Sequence, residues 1–208
     1  MHNVDKLLNI ILFPRELYLR ITGKRPSLYM GILFIGLKDV IFVLLSNYKD
    51  LFIDKIPGDM PLNIFLSIIF IVGMGILDVC FFSIPLFDLY KRFKKIGSVR
   101  IDRELLVKLM KVYIVAHFVI LPAEIFIFIL FWNSGNGIST FLFYLSGVLY
   151  ILIPIWFSAA ISRGVDTLYN FVPFYKWLSF GAILVWNHLL GYAFSYIIES
   201  WILPLFRY

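Results

Sequence analysis

Apolar residues run along this chain in five long blocks, each near the 20 residues or so that a helix needs to cross the hydrocarbon core of a bilayer. The blocks fall at about 28–45, 62–86, 112–132, 140–161 and 177–198. They lack the strict apolar–polar alternation of half-buried strands, and each is too long for one. Pro26 opens the first block where its missing N–H is harmless. Asp102 reads as the N-cap of an amphipathic turn, Arg103-Glu104-Leu105-Leu106, that leads into the third block. Asn133-Ser134-Gly135-Asn136-Gly137 reads as a tight turn between the third and fourth. Pro173 marks the linker before the fifth, and Trp132, Trp177 and Trp201 sit at block ends, where amphipathic rings prefer the interface. The pattern predicts an all-α, single-domain protein of 1–208 with five transmembrane helices.

Residues 1–27 precede the first block and mix apolar positions (Leu7 to Phe13, Leu17, Tyr18, Leu19, Ile21) with Lys6, Arg15, Arg20, Lys24 and Arg25. Pro14 and Gly23 suit the two ends of a short helix there. Such a segment either lies in the headgroup plane or packs against the ends of the other helices. Leu7 to Phe13 is followed by Pro14-Arg15-Glu16, not by small residues, so no cleavable signal peptide is expected.

Composition sharpens the class. Of 208 residues 61% are hydrophobic and only 15% charged, against about 45–50% and 25% in ordinary soluble domains. A soluble enzyme, a disordered chain and a disulfide scaffold are excluded, and Cys80 has no second cysteine to pair with. The net charge of +6 raises the possibility of nucleic acid. The basic residues, however, flank apolar blocks, which is the signature of topology and of contact with anionic headgroups. Of the 19 Lys and Arg, fifteen fall on the side of the N-terminal segment, three on the other, and Lys38 lies inside the first block. The bias predicts a multi-pass inner-membrane protein with its N-terminus in the cytoplasm and its C-terminus outside. Lys91, Arg92, Lys94, Lys95, Arg100 and Arg103 form a basic loop between the second and third blocks, a candidate surface for anionic lipid or an acidic partner.

Phe13-Pro14-Arg15-Glu16, then Arg25-Pro26-Ser27 at the first block, and Leu121-Pro122-Ala123 in the third resemble bacterial Yip1-domain proteins. The resemblance implies five helices, a cytoplasmic N-terminus and a membrane-organising or partner-binding role without catalysis. The Asp-Leu-Tyr-Gly-Pro motif of eukaryotic members is absent, since Asp88-Leu89-Tyr90 lacks the Gly-Pro and follows the second block. Binding of Rab-type GTPases is therefore not carried over.

The chemistry that stands out is the ionisable and polar set inside the blocks: Lys38, Asp39, Asp78, His117, Glu124, Asn187 and His188. A charged residue at a helix centre costs roughly 2.5–3.5 kcal/mol, and each Leu, Ile, Phe or Val returns only about 0.3–0.6. The eleven such residues of the first block barely offset Lys38 and Asp39, so the bundle must hold that helix. At about 1.5 Å per residue, Lys38, Asp78, Glu124 and His188 lie at similar depth, roughly 12–18 Å from the cytoplasmic ends. A mid-membrane network is expected, with Lys38 paired to Asp78 or Glu124 and hydrogen bonds from Asn187 and His188. Asp39, about 100° around the helix from Lys38, is expected to face elsewhere, toward water or a second copy. A dry, fully paired cluster would be a structural clamp; a cavity reaching these groups would favour a small permease or lipid-handling protein. His117, Glu124 and His188 lack the tight spacing of zinc sites, and no phosphate-binding, dinucleotide or nucleophile motif is present. No enzyme, cofactor or metal is expected; the partners are membrane lipids, other proteins or a second copy.

Overall fold

The computed structural model describes residues 9–53, 60–93, 99–132 and 140–206. Among these there is no strand, and five helices are long and apolar enough to cross a membrane. A short α1 (Arg15–Leu19) precedes α2 (Pro26–Ser46), α3 (Met60–Phe93), α4 (Val99–Trp132), α5 (Thr140–Tyr169) and α6 (Pro173–Ile197). A π-helical turn, Ile198–Ile202, joins α6 to a final turn α7, Leu203–Leu205. Pro26 and Pro173 occupy first-turn positions, and Pro14 is the residue before α1.

The helices outrun the apolar blocks. At 34 residues each, α3 and α4 extend about 50 Å, against a hydrocarbon core of about 30 Å. Lys91 and Arg92 thus sit on the last turn of α3, and Arg100 and Arg103 on the first turns of α4, not in a loop. Asp102 likewise lies inside α4, three residues past its start, and is not its N-cap. Helix propensity simply continues past the apolar residues. Lys94, Lys95 and the 133–137 turn lie outside the described residues.

The helix α4 is central: 39% of its apolar window is buried, against 6% for the peripheral α5. Small residues set the closest approach. A Cβ added to Gly36 would stand 2.8 Å from Gly75 N, and one on Gly75 would stand 2.9 Å from Gly36 N. The backbones of α2 and α3 therefore touch, as small residues allow in membranes. Gly73, two residues earlier on α3, faces open space. Pro85 cannot donate to the carbonyl of Phe81 four residues back, and Trp186 Nε1 on α6 donates to that oxygen at 3.0 Å. A proline inside a buried helix is thereby tolerated through a partner from a neighbouring helix.

The N-terminal segment docks on the bundle and also keeps an outward face. Tyr18 is fully buried, its hydroxyl shared between Leu12 O (3.1 Å) and Ala160 O (3.2 Å). Gly164 makes room for its ring. Lys111 Nζ donates to Thr22 O at 2.6 Å, Trp156 Nε1 to Ile11 O at 2.8 Å, and Arg163 to Asn9 Oδ1. Burial pushes the Tyr18 phenol up to about 12, against a smaller opposing pull from Arg163. The segment thus packs against the other helices, while Ile10, Leu17 and Leu19 stay exposed on its outer face. At the opposite end of the bundle, Asn63 Nδ2 donates to Leu51 O at 2.7 Å, and Phe70 packs on Phe206.

Candidate functional site

Three helices bring the charges together. The Gly36–Gly75 contact draws α2 onto α3, and Gly31 lets Ile114 of α4 approach α2. Lys38 and Asp39 follow Gly36 on α2, Asp78 follows Gly75 on α3, and α4 contributes Tyr113, His117 and Glu124 on a shared face. Lys38 Nζ lies 3.0 Å from Asp39 Oδ1 and 3.6 Å from Glu124 Oε1. Tyr113 OH donates to Asp78 Oδ1 at 2.8 Å, and His117 Nε2 stands 3.9 Å from Asp78 Oδ2. Asp39 is also an electrostatic neighbour of Asp78.

Two expectations change. Lys38 takes Glu124 as expected, and its other contact is Asp39, which belongs to the cluster and does not face elsewhere. The 100° offset applies to the Cβ directions; the flexible four-carbon Lys stem lets the ammonium swing back over its neighbour. Asn187 Nδ2 donates to Ser158 Oγ on α5 at 3.0 Å, not to a charged group. His188 is exposed at the rim. The sequence reading missed Tyr113, although its place four residues before His117 on α4 was the available signal.

Around the cluster lies a cavity of about 720 Å³, lined by all seven polar residues singled out from sequence together with Tyr113. The aromatic rings of Tyr113, His117 and Phe157 pack together at one wall, with Phe82 stacked on Tyr113. Asp39 Oδ2, Glu124 Oε2 and both ring nitrogens of His117 are buried with no hydrogen-bond partner among the described residues. The cavity thus carries an incompletely satisfied polar cluster on an otherwise largely apolar lining.

No family model, curated protein or solved structure matches this chain. Chemistry must then be read from the residues themselves. Three carboxyl groups line the cavity against one ammonium. Charges removed from water demand compensation, and here the carboxyls outnumber the ammonium. Among the described residues no group of three or more His, Cys, Asp or Glu is placed to hold a metal ion. Of the basic cluster, Lys91 Nζ lies 5.3 Å over the Phe87 ring, while Arg92 and Arg103 are exposed.

Proposed function

We propose that this is a small permease or lipid-handling protein of the inner membrane, acting without covalent chemistry through the cavity around Lys38, Asp78 and Glu124. The observation that supports the reading is a cavity at mid-helix whose lining gathers three carboxyls against one ammonium. A clamp serving stability alone would close on itself, because orphaned buried polar atoms destabilise. Fifteen basic residues on the α1 side support a cytoplasmic N-terminus, and Arg92 and Arg103 supply a surface for anionic headgroups there.

The membrane-organising role implied by the Yip1-domain resemblance is the competing reading, and reconstitution separates the two. Liposomes containing the protein are assayed for scrambling of a headgroup-labelled phospholipid and for proton and monovalent-cation flux. The native protein is expected to exceed empty liposomes in one of these, with Asp78→Asn and Glu124→Gln each reducing it. Native protein that moves neither lipid nor ions leaves the membrane-organising role.

A further inference from the structure

The cavity reaches the flank of the bundle between α5 and α6. Tyr150 of α5 and Tyr192 of α6 both line it, yet are 73% and 77% exposed. Tyr150 stands ten residues from the start of α5, about 15 Å along a helix of about 45 Å. With a hydrocarbon core of about 30 Å centred on that helix, this mouth faces acyl chains and not bulk water.

Outside the mouth runs an apolar groove of about 380 Å³ between the same two helices, walled by residues such as Ile151, Ile155, Leu184 and Leu189. Groove and cavity share Tyr150, Pro154 and His188, so one continues into the other. Pro154 also leaves the Tyr150 carbonyl without its intrahelical donor, which places a backbone acceptor at the junction.

The polar end selects by charge. Asp39, Asp78 and Glu124 line the chamber with one ammonium, that of Lys38, among them. His117 is about nineteen-twentieths buried in the cavity wall, its ring nitrogens without hydrogen-bond partners among the described residues. An acidic, under-satisfied chamber joined to an apolar trough on the bilayer side is complementary to one kind of molecule.

We infer that the guest is a membrane amphiphile with a cationic head, which enters sideways between α5 and α6 with its head in the chamber and its chain in the groove. The inference rests on the transport reading above and names its substrate class.

The test uses full-length protein in neutral detergent, with Cys80→Ser and a single thiol introduced by Ser195→Cys, an exposed position on the cavity lining. The rate of reaction with a neutral, water-soluble thiol reagent is measured with dodecyltrimethylammonium, dodecylphosphocholine or tetramethylammonium present. Glu199→Cys, exposed and off the lining, reports non-specific effects.

Dodecyltrimethylammonium at ten times its dissociation constant is expected to slow labelling about tenfold, with little effect from the other two. Ile155→Trp, which fills the groove, should abolish that protection. Equal protection by tetramethylammonium overturns the sideways amphiphile and leaves a small-cation permease standing. Equal protection by dodecylphosphocholine overturns the selection for charge. A thiol at position 195 that never reacts means a closed cavity, and both readings fall. Leu149→Cys, half-buried on the cavity lining from α5, gives the same readout should Ser195→Cys not fold.

Discussion

Replacing Gly36 by alanine tests the contact on which the cluster is built. The new Cβ would stand 2.8 Å from Gly75 N and nearer still to the carbonyl of Ile71, both backbone atoms that cannot rotate away. Non-bonded contacts to carbon are optimal near 3.5–4.0 Å, and the Ile71 carbonyl is the limiting one, so α2 and α3 must separate by about 1.5 Å. A gap of that size forfeits more than half of the dispersion energy at each contact along the crossing. Overpacking typically costs 1–3 kcal/mol, and here the obstruction is main chain, so about 3 kcal/mol is expected. For a chain of this size that lowers Tm by about 6–12 °C. Gly73→Ala is the internal control: it lies on the same stretch of α3, meets nothing within 4 Å, and gains up to about 1 kcal/mol of helix propensity. Thermal unfolding of purified protein in detergent reads both. Equal Tm values for Gly36→Ala and Gly73→Ala would refute the close crossing.

Three further outcomes follow from named contacts. Tyr113→Phe removes the hydrogen bond to Asp78 and should destabilise the protein by about 1.5–3 kcal/mol; an unchanged unfolding midpoint would mean that the hydroxyl does not serve that carboxyl. Trp186→Phe should cost about 1 kcal/mol in the native background and much less with Pro85→Ala, because residue 85 then donates to the Phe81 carbonyl itself; strict additivity in this cycle would contradict the repair. The Tyr18 phenol, raised by burial from 10.0 to about 12, contributes stability that is complete below pH 10. That stability is lost as pH rises from about 10 to 12, since the unfolded chain loses the proton first. Tm measured across that window should fall in the native protein and fall less in Tyr18→Phe.

Much of the architecture is legible from hydropathy because the bilayer imposes a length that short apolar runs cannot imitate. The ends are less so: α3 and α4 continue over polar residues such as Lys91 and Arg103, where apolar patterning stops but helix propensity does not. The members of the polar cluster stood out because charge inside an apolar block is costly wherever it points. Their partners did not, since depth along a helix says nothing of how closely two helices approach. Glycines inside an apolar block are visible in the sequence, but nothing there marks Gly36 and Gly75 as counterparts or shows Gly73 to be idle. The Lys38–Asp39 contact depends on a flexible stem, which a helical wheel drawn from Cβ directions leaves out. Asn187 turned to Ser158 because a hydroxyl on α5 lay within reach.

The meeting of Lys38 with the carboxylates inside the bundle is open to a thermodynamic cycle of Lys38→Met, Glu124→Gln and the double variant, each followed by unfolding in detergent. Lys38→Met strands Glu124 and Asp39, Glu124→Gln leaves Lys38 with Asp39, and the double change removes the Lys38–Glu124 pair; a coupling energy of about 1–3 kcal/mol between the two sites is expected. Additivity within about 0.5 kcal/mol would mean that ammonium and carboxylate do not face each other in the folded protein, and the cavity would lose the chemistry assigned to it.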